Sequence, residues 1–326
     1  MSVHPRWFIT SFLCLLALFA LNGIPAQAAT YPAKPVKFIV AVGAASSPDV
    51  IARIIADRLA KVWGQQVLII NRPGGGGLIA AQAAATSEPD GYTLYFGIAS
   101  TFLVLPETHD KLPFDLRSDL VPIGLVSEGP LLIAAASALR INTLAETIAL
   151  AKTKPDGLLY VANFRGSFPN MTGELLARRA GITLTHVPYP GIAPALNEVL
   201  SGRIGLIVEA ISGLSGVITG GSVRPLAVTA ARRLPDFPDL PTVSETIPGF
   251  EAKGWFVLMA PSGVSPEIVR KLNHDLNGVL AQDELQRTFR TLGLYVRPMS
   301  PAETAAFIRS EQDLWRPIVR ELVKVQ

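Results

Sequence analysis

Val36-Lys37-Phe38-Ile39-Val40-Ala41-Val42-Gly43-Ala44-Ala45-Ser46-Ser47-Pro48-Asp49-Val50-Ile51 reads as a buried strand, a turn of small residues and the start of a helix. The apolar run suits a strand covered on both faces, as in parallel sheets. Ser47, Pro48 and Asp49 then supply a cap candidate, a proline at the first helical position and an acid where the helix dipole favours it. Val50, Ile51, Ile54, Ile55, Leu59 and Val62 follow at helical spacing, so one face of that helix is expected in a core.

The same alternation continues outward. Gln66–Ile70 and Tyr92–Gly97 read as strands around a turn at Asn71–Gly77 and a short helix at Leu78–Ala85. Later strands are expected at Leu131–Ala135, Leu159–Ala162, Leu206–Val208, Leu226–Val228 and Trp255–Met259. Helices are expected at Leu144–Lys152, Met171–Ala180, Pro194–Ser201, Pro266–Ala281 and Pro301–Val323, the last kinked or broken at Pro317. Strand and helix in alternation imply βαβ units, hence an α/β fold with two mostly parallel sheets flanked by helices. Arg233–Gly249, with Pro235, Pro238, Pro241 and Pro248 and no helical period, reads as a surface connection. It suits a chain returning from a second domain, with crossovers near Gly129–Ala136 and Lys253–Ala260. The expected organisation is a leader at 1–28, a discontinuous first domain at 29–130 plus 255–326, and a second domain at 131–254.

The leader reading rests on a basic start at Met1–Arg6, an apolar stretch at Trp7–Leu21 and small residues at Ala26-Gln27-Ala28, with cleavage expected after Ala28. An uncleaved anchor is the competing reading, and the apolar stretch is short for one. The one cysteine, Cys14, lies inside that stretch, so the remaining chain has no disulfide, thiolate ligand or cysteine nucleophile. With 29 basic and 26 acidic residues dispersed along the chain, nothing is concentrated for nucleic acid.

Two strand-to-helix turns carry the functional signal, because a helix start presents unpaired N–H groups and a positive dipole end to an anion. The first contains Ala45, Ser46 and Ser47; the second, Asn163–Asn170, contains Phe164, Arg165, Gly166 and Ser167. Facing each other from different domains, they would bracket a cleft; otherwise they are ordinary capped turns. Arg165 suits a bidentate grip on a carboxylate, or is a solvated loop arginine. Glu209, after the run Leu206-Ile207-Val208, suits a ligand hydroxyl or amine, a pairing with Arg165, or a capping role.

Gly75–Ala80 has the spacing G-x-G-x-x-A of a dinucleotide fingerprint, but it follows Pro73, precedes only a short helix and lacks the acid about twenty residues on. A tight packed turn is the expectation, with no cofactor. His109, His186 and His274 are widely spaced, and no lipase elbow, Walker loop or zinc-protease motif occurs, so neither metal nor catalysis is expected.

Several blocks in order resemble the Bug family, the substrate-binding receptors of tripartite tricarboxylate transporters. They are Tyr31–Val36, Asn71-Arg72-Pro73-Gly74, Pro89–Leu94, Lys111–Asp115, His186-Val187-Pro188-Tyr189, Ala193–Leu196, Leu226–Thr229 and Leu240–Val243. The resemblance implies a two-domain periplasmic binding protein fold, type II-like, with a carboxylate in the cleft between domains and a membrane permease as partner. Binding without chemistry is expected, by a monomer, with a dimer left open. It also implies ligand roles for Asp49, for Thr101 with neighbouring Ser100, for Ser167 and Asn170, for Tyr189, and for Glu209, which stands where an aspartate is usual. The first loop departs from the family's Pro-Gly-Gly, and Phe164, Arg165 and Pro190 replace smaller residues or a lysine. The expected ligand is therefore a carboxylate with an aromatic or apolar body, stacked near Phe164 or Phe168, its anionic end at Arg165 or a helix terminus. A periplasmic enzyme using Glu209, or a receptor feeding a membrane sensor, are the alternatives.

Overall fold

The computed structural model describes residues 31–323 apart from 110 and 190. The leader with Cys14 and the departure at Pro190 therefore lie outside the described residues. All elements named below belong to the unit Lys34–Gln326; of the other unit, Met1–Ala33, only residues 31–33 are described.

In chain order the elements are β1 (Val36–Val40), α1 (Ser47–Trp63), β2 (Val67–Asn71), α2 (Leu78–Ala85), β3 (Thr93–Ile98), α3 (Ala99–Leu103), α4 (Leu105–Thr108) and β4 (Leu120–Ala136). There follow α5 (Leu144–Thr153), β5 (Leu158–Val161), α6 (Phe168–Ala180), β6 (Leu184–His186), α7 (Ile192–Leu200), β7 (Leu206–Ala210), α8 (Ile211–Thr219) and β8 (Val223–Val228). The chain closes with β9 (Lys253–Pro261), α9 (Pro266–Leu280), α10 (Asp283–Thr291) and α11 (Pro301–Val323).

The opening stretch folds as its pattern dictates. β1 is buried except at Lys37, and α1 buries Ile51, Ala52, Ile55, Ala56 and Leu59 before ending at Gly64, whose φ of 62° only glycine adopts cheaply. Val62, expected in that stripe, is 51 % exposed instead.

Strand order is β2-β1-β3-β9-β4-β7-β5-β6, with β8 also on β4. The ladders β2-β1-β3 and β6-β5-β7 are parallel. Between them, β9 and β4 run antiparallel to their neighbours, so the sheet is mixed where the chain crosses. β4 is one strand of 17 residues rather than the short Leu131–Ala135 expected. Its first part, Leu120–Pro130, pairs with β9, and its second, from Leu131, pairs with β7 and β8. Pro122, Gly124, Gly129 and Pro130 disguise that continuity in the sequence; register shifts occur at Pro122/Gly124 and Leu125/Ser127, while Gly129 and Pro130 stay in register with Gly254 and Lys253.

Each end of the sheet has its own packing. Phe38, Phe96 and Phe256 stack at 6.5 and 5.8 Å on one side, while Leu132, Val199, Ile207, Ile211 and Leu214 cluster on the other. α11 spans both, with Thr304, Ile308, Gln312, Trp315, Val319 and Leu322 on one buried stripe. It continues unbroken through Pro317, because Pro317 and Asp313, whose carbonyl the proline leaves without a helical donor, lie on the exposed face where water serves. The helix α10, which no expectation covered, buries Leu285 and Phe289 and is tied to α1 by the Arg58–Glu284 ion pair.

Candidate functional site

Four strands, β1, β3, β5 and β7, end toward one cleft, and each is followed by a helix start: α1, α3, α6 and α8. Carboxyl ends of strands in open α/β sheets are where ligands settle, because the chain parts there and leaves helix termini exposed. The cleft is narrow, with a cavity volume of about 60 Å³. Ser47, Pro48 and Ser100 line it from one side, Asn163, Phe164, Ser167, Phe168 and Glu209 from the other. The crossing strands supply its floor through Gly129, Leu131, Gly254, Trp255 and Phe256. No lysine, arginine or histidine is among these lining residues.

The first loop is held from behind. Ala45 takes a left-handed φ of 65° and donates its N–H to Asp49 Oδ2 at 2.9 Å, while the Ser46 hydroxyl donates to the Gly43 carbonyl at 2.7 Å. Asp49 also accepts both Arg53 donors at 3.0 Å and Asn71 Nδ2 at 2.8 Å. Burial alone would raise the Asp49 carboxyl, but these bonds from Arg53, Asn71 and Ala45 outweigh it and hold it below the usual aspartate value. Asp49, Ala45 and Ser46 thus shape the loop and do not line the cleft. Ser47 does, and its hydroxyl is bonded to that of Ser212, a buried residue in the first turn of α8 next to the lining residues Glu209 and Ala210.

The second loop repeats the device with neutral groups. Gly166, at φ 79°, donates its N–H to Asn170 Oδ1 at 2.8 Å; Asn170 Nδ2 donates to Tyr160 Oη at 2.8 Å, and Tyr160 donates to Glu174 at 2.6 Å. Ser167 accepts the Asn170 N–H at 3.2 Å and so caps its own helix. Asn170 and Gly166, like Asp49 and Ala45, stand behind the surface that Phe164 and Ser167 present.

Other singled-out residues lie apart. Thr101 is wholly buried, bonded to Tyr95 Oη at 2.9 Å. A Cβ on Gly77 would meet the Thr101 hydroxyl at 2.5 Å, so the glycine turn at 74–77 serves close packing of backbone on this helix start. Arg165 is exposed and borders a separate cavity with Gly75, Gly76 and His109. Tyr189 packs against the cluster around Leu132 and Ile207.

Glu209, in β7 opposite Leu132, is 2 % exposed. Its Oε2 accepts Asn163 Nδ2 at 2.6 Å and its Oε1 the Ala210 N–H at 2.9 Å. Burial pushes its carboxyl up to about 7, against the lowering effect of those two bonds.

Sequence reading did not single out Ser212, Asn163, Leu131, Trp255 or Phe256 as site residues. Ser212 had a signal, since it follows β7 as Ser47 follows β1; the aromatic floor had none, being brought from a remote strand.

Comparison with known proteins agrees with this architecture. Residues 51–323 match the model of the tripartite tricarboxylate transporter family receptor. The protein BugT of Bordetella pertussis is 34% identical over 318 residues, covering 96% of this chain and 98% of its own. Rpa4515 of R. palustris, solved with adipate, superposes with a TM-score of 0.87 at 30% identity, over 90% of this chain and 98% of its own. MatC from Rhodopseudomonas palustris, solved with malate, gives 0.82 at 30%, over 89% and 100%. A cleft at four strand ends, walled by hydroxyls and helix starts and shared in fold with carboxylate-bound relatives, places the chain in a family: it belongs to the tripartite tricarboxylate transporter receptors, the Bug proteins among them.

Proposed function

We propose that this chain is a periplasmic receptor that closes on a small carboxylate and presents it, unchanged, to the membrane permease of a tripartite tricarboxylate transporter. The lobes are 29–130 plus 255–326 and 131–254, moving about the strands they share, β4 and β9, and the leader at 1–28 is removed on export. Among the described residues no helix is long and apolar enough to cross a membrane. One observation carries the reading: the starts of α1 and α8, neither capped by a side chain, meet through Ser47 and Ser212 beside a cleft whose lining holds no cationic side chain. Free N–H groups, two dipole ends and hydroxyls make a seat for an anion. Phe164, Phe168, Trp255 and Phe256 give it apolar walls suited to the ligand's body.

Relatives solved with adipate and malate support a carboxylate as the ligand class. The test is a thermal melt of the chain from Ala29 onward with mono-, di- and tricarboxylates, aromatic acids and amino acids. A ligand at about 100 times its Kd adds about 2.7 kcal/mol to the folded state, so one carboxylate class is expected to raise Tm by several degrees and to be recovered intact by mass spectrometry. Absence of any shift sinks the receptor reading, and a chemically altered ligand turns it into an enzyme.

A further inference from the structure

The receptor reading leaves Glu209 unexplained, since an anion seat gains nothing from a buried carboxyl in its wall. That carboxyl lines the cleft, is 2 % exposed, and holds one donor on each oxygen, Asn163 Nδ2 and the Ala210 N–H. An ionised carboxylate offers about four acceptor positions, so places for a donor remain. No cation offsets it. On the elements packed against β7, α8 and the Leu131–Ala136 part of β4 carry no titratable side chain. β5 carries Tyr160, which donates to Glu174 of α6; Arg178 of α6 is bonded to Glu321, and Glu198 of α7 to Arg203. Arg179 of α6 borders a different cavity, and the exposed Arg165 borders another. None of these contributes to the rise of Glu209, which burial causes.

Resting on the receptor reading, we propose that Glu209 is the specificity residue of the cleft: it selects a monocarboxylate whose far end bears a hydrogen-bond donor, an amide or amine N–H, and admits a dicarboxylate only together with a proton. Two carboxylates in a closed, dry cleft cannot both stay ionised cheaply. A proton taken from solvent onto Oε2 removes the conflict and leaves an O–H that donates to the ligand, or to Asn163 Oδ1 once that amide turns over. A ligand N–H needs no such proton, because it donates directly to the ionised form.

Isosteric pairs test this by calorimetry: succinate against succinamate, adipate against adipamate, and terephthalate against its monoamide. At pH 8 the monoamide of the pair that fits is expected to bind at least about tenfold more tightly than the dianion. With burial pushing the Glu209 carboxyl up to about 7, its protonated fraction rises about tenfold between pH 8 and pH 6, and dianion affinity should rise with it while the monoamide's, which uses the ionised form, falls. Glu209→Gln, which imitates the protonated form, should bring the pair within about threefold and flatten the pH dependence. A dianion that binds at pH 8 as tightly as its monoamide, or diacids and monoamides that all fail while other carboxylates shift the melt, overturns the selection and leaves the receptor standing. No response to any carboxylate removes both. The wild-type comparison stands even if the variant misfolds.

Discussion

The two loops facing the cleft are built on one plan with opposite electrical content. In each, a left-handed residue, Ala45 or Gly166, donates its N–H to the side chain four residues on, Asp49 or Asn170, and a proline sits in the first turn of the helix. The first brace is a carboxylate neutralised by Arg53 and hydrogen-bonded by Asn71; the second is an amide that needs no counter-charge. The second helix is capped by Ser167, whereas Ser46 turns back to Gly43 and leaves the first helix start open. The difference teaches that equal geometry does not mean equal availability: the charged brace frees a helix terminus for a ligand, and the neutral one supplies a finished wall.

Removing the braces is the strongest way to test this. Asp49→Ala strands Arg53, Asn71 and the Ala45 N–H and is expected to cost about 3 kcal/mol in denaturant melts, against about 2 kcal/mol for Asn170→Ala, which strands the Gly166 N–H and the Tyr160 hydroxyl and takes only a long 3.4 Å contact from Glu174. The charge also gives a pH signature. Because Asp49 is held below its unfolded value, its contribution is complete above about pH 4 and is lost as pH falls through its folded value. Asp49→Asn should therefore flatten the acid limb of stability; an acid limb as steep as wild type breaks the comparison.

Next in size is the serine pair. Ser167→Ala removes a cap and should cost about 1 kcal/mol of stability, while Ser47→Ala, which caps nothing, should leave the melt almost unchanged and weaken carboxylate binding about tenfold. Equal stability losses in the two variants would show that Ser47 is structural. The smallest effect concerns the left-handed positions. Gly166→Ala has room, its nearest neighbour being Val104 Cγ1 at 3.5 Å, so it should cost only the strain of φ 79°, about 1 kcal/mol. Ala45→Gly relieves the same strain and should be neutral or slightly stabilising. Two losses of the same sign would mean that the loops do not share a backbone plan.

Much of the fold is legible residue by residue. Val36–Val42 and Val50–Leu59 carry periods that only a buried strand and a half-buried helix satisfy, and the turn residues between them mark the boundary. β4 is not legible, because proline and glycine at 122, 124, 129 and 130 look like a loop until β9 pairs with them. At the site, Ser47, Ser100, Phe164, Ser167 and Glu209 line the cleft, while Asp49, Thr101 and Asn170, drawn from the same short segments, face away from it. Neighbours along a turn alternate between front and back, and sequence spacing alone does not say which is which.

Local physics therefore determined most elements of this protein, β4 and α10 excepted, the helix starts that suit an anion, and the family resemblance, since periodicity, caps and short motifs act between residues close in the chain. Tertiary structure decided what each polar group does. The meeting of Ser47 with Ser212, the aromatic floor of Trp255 and Phe256, and the burial that raises Glu209 all depend on strands far apart in sequence crossing at β4 and β9. Burial and hydrogen-bond partnership are properties of the packed whole.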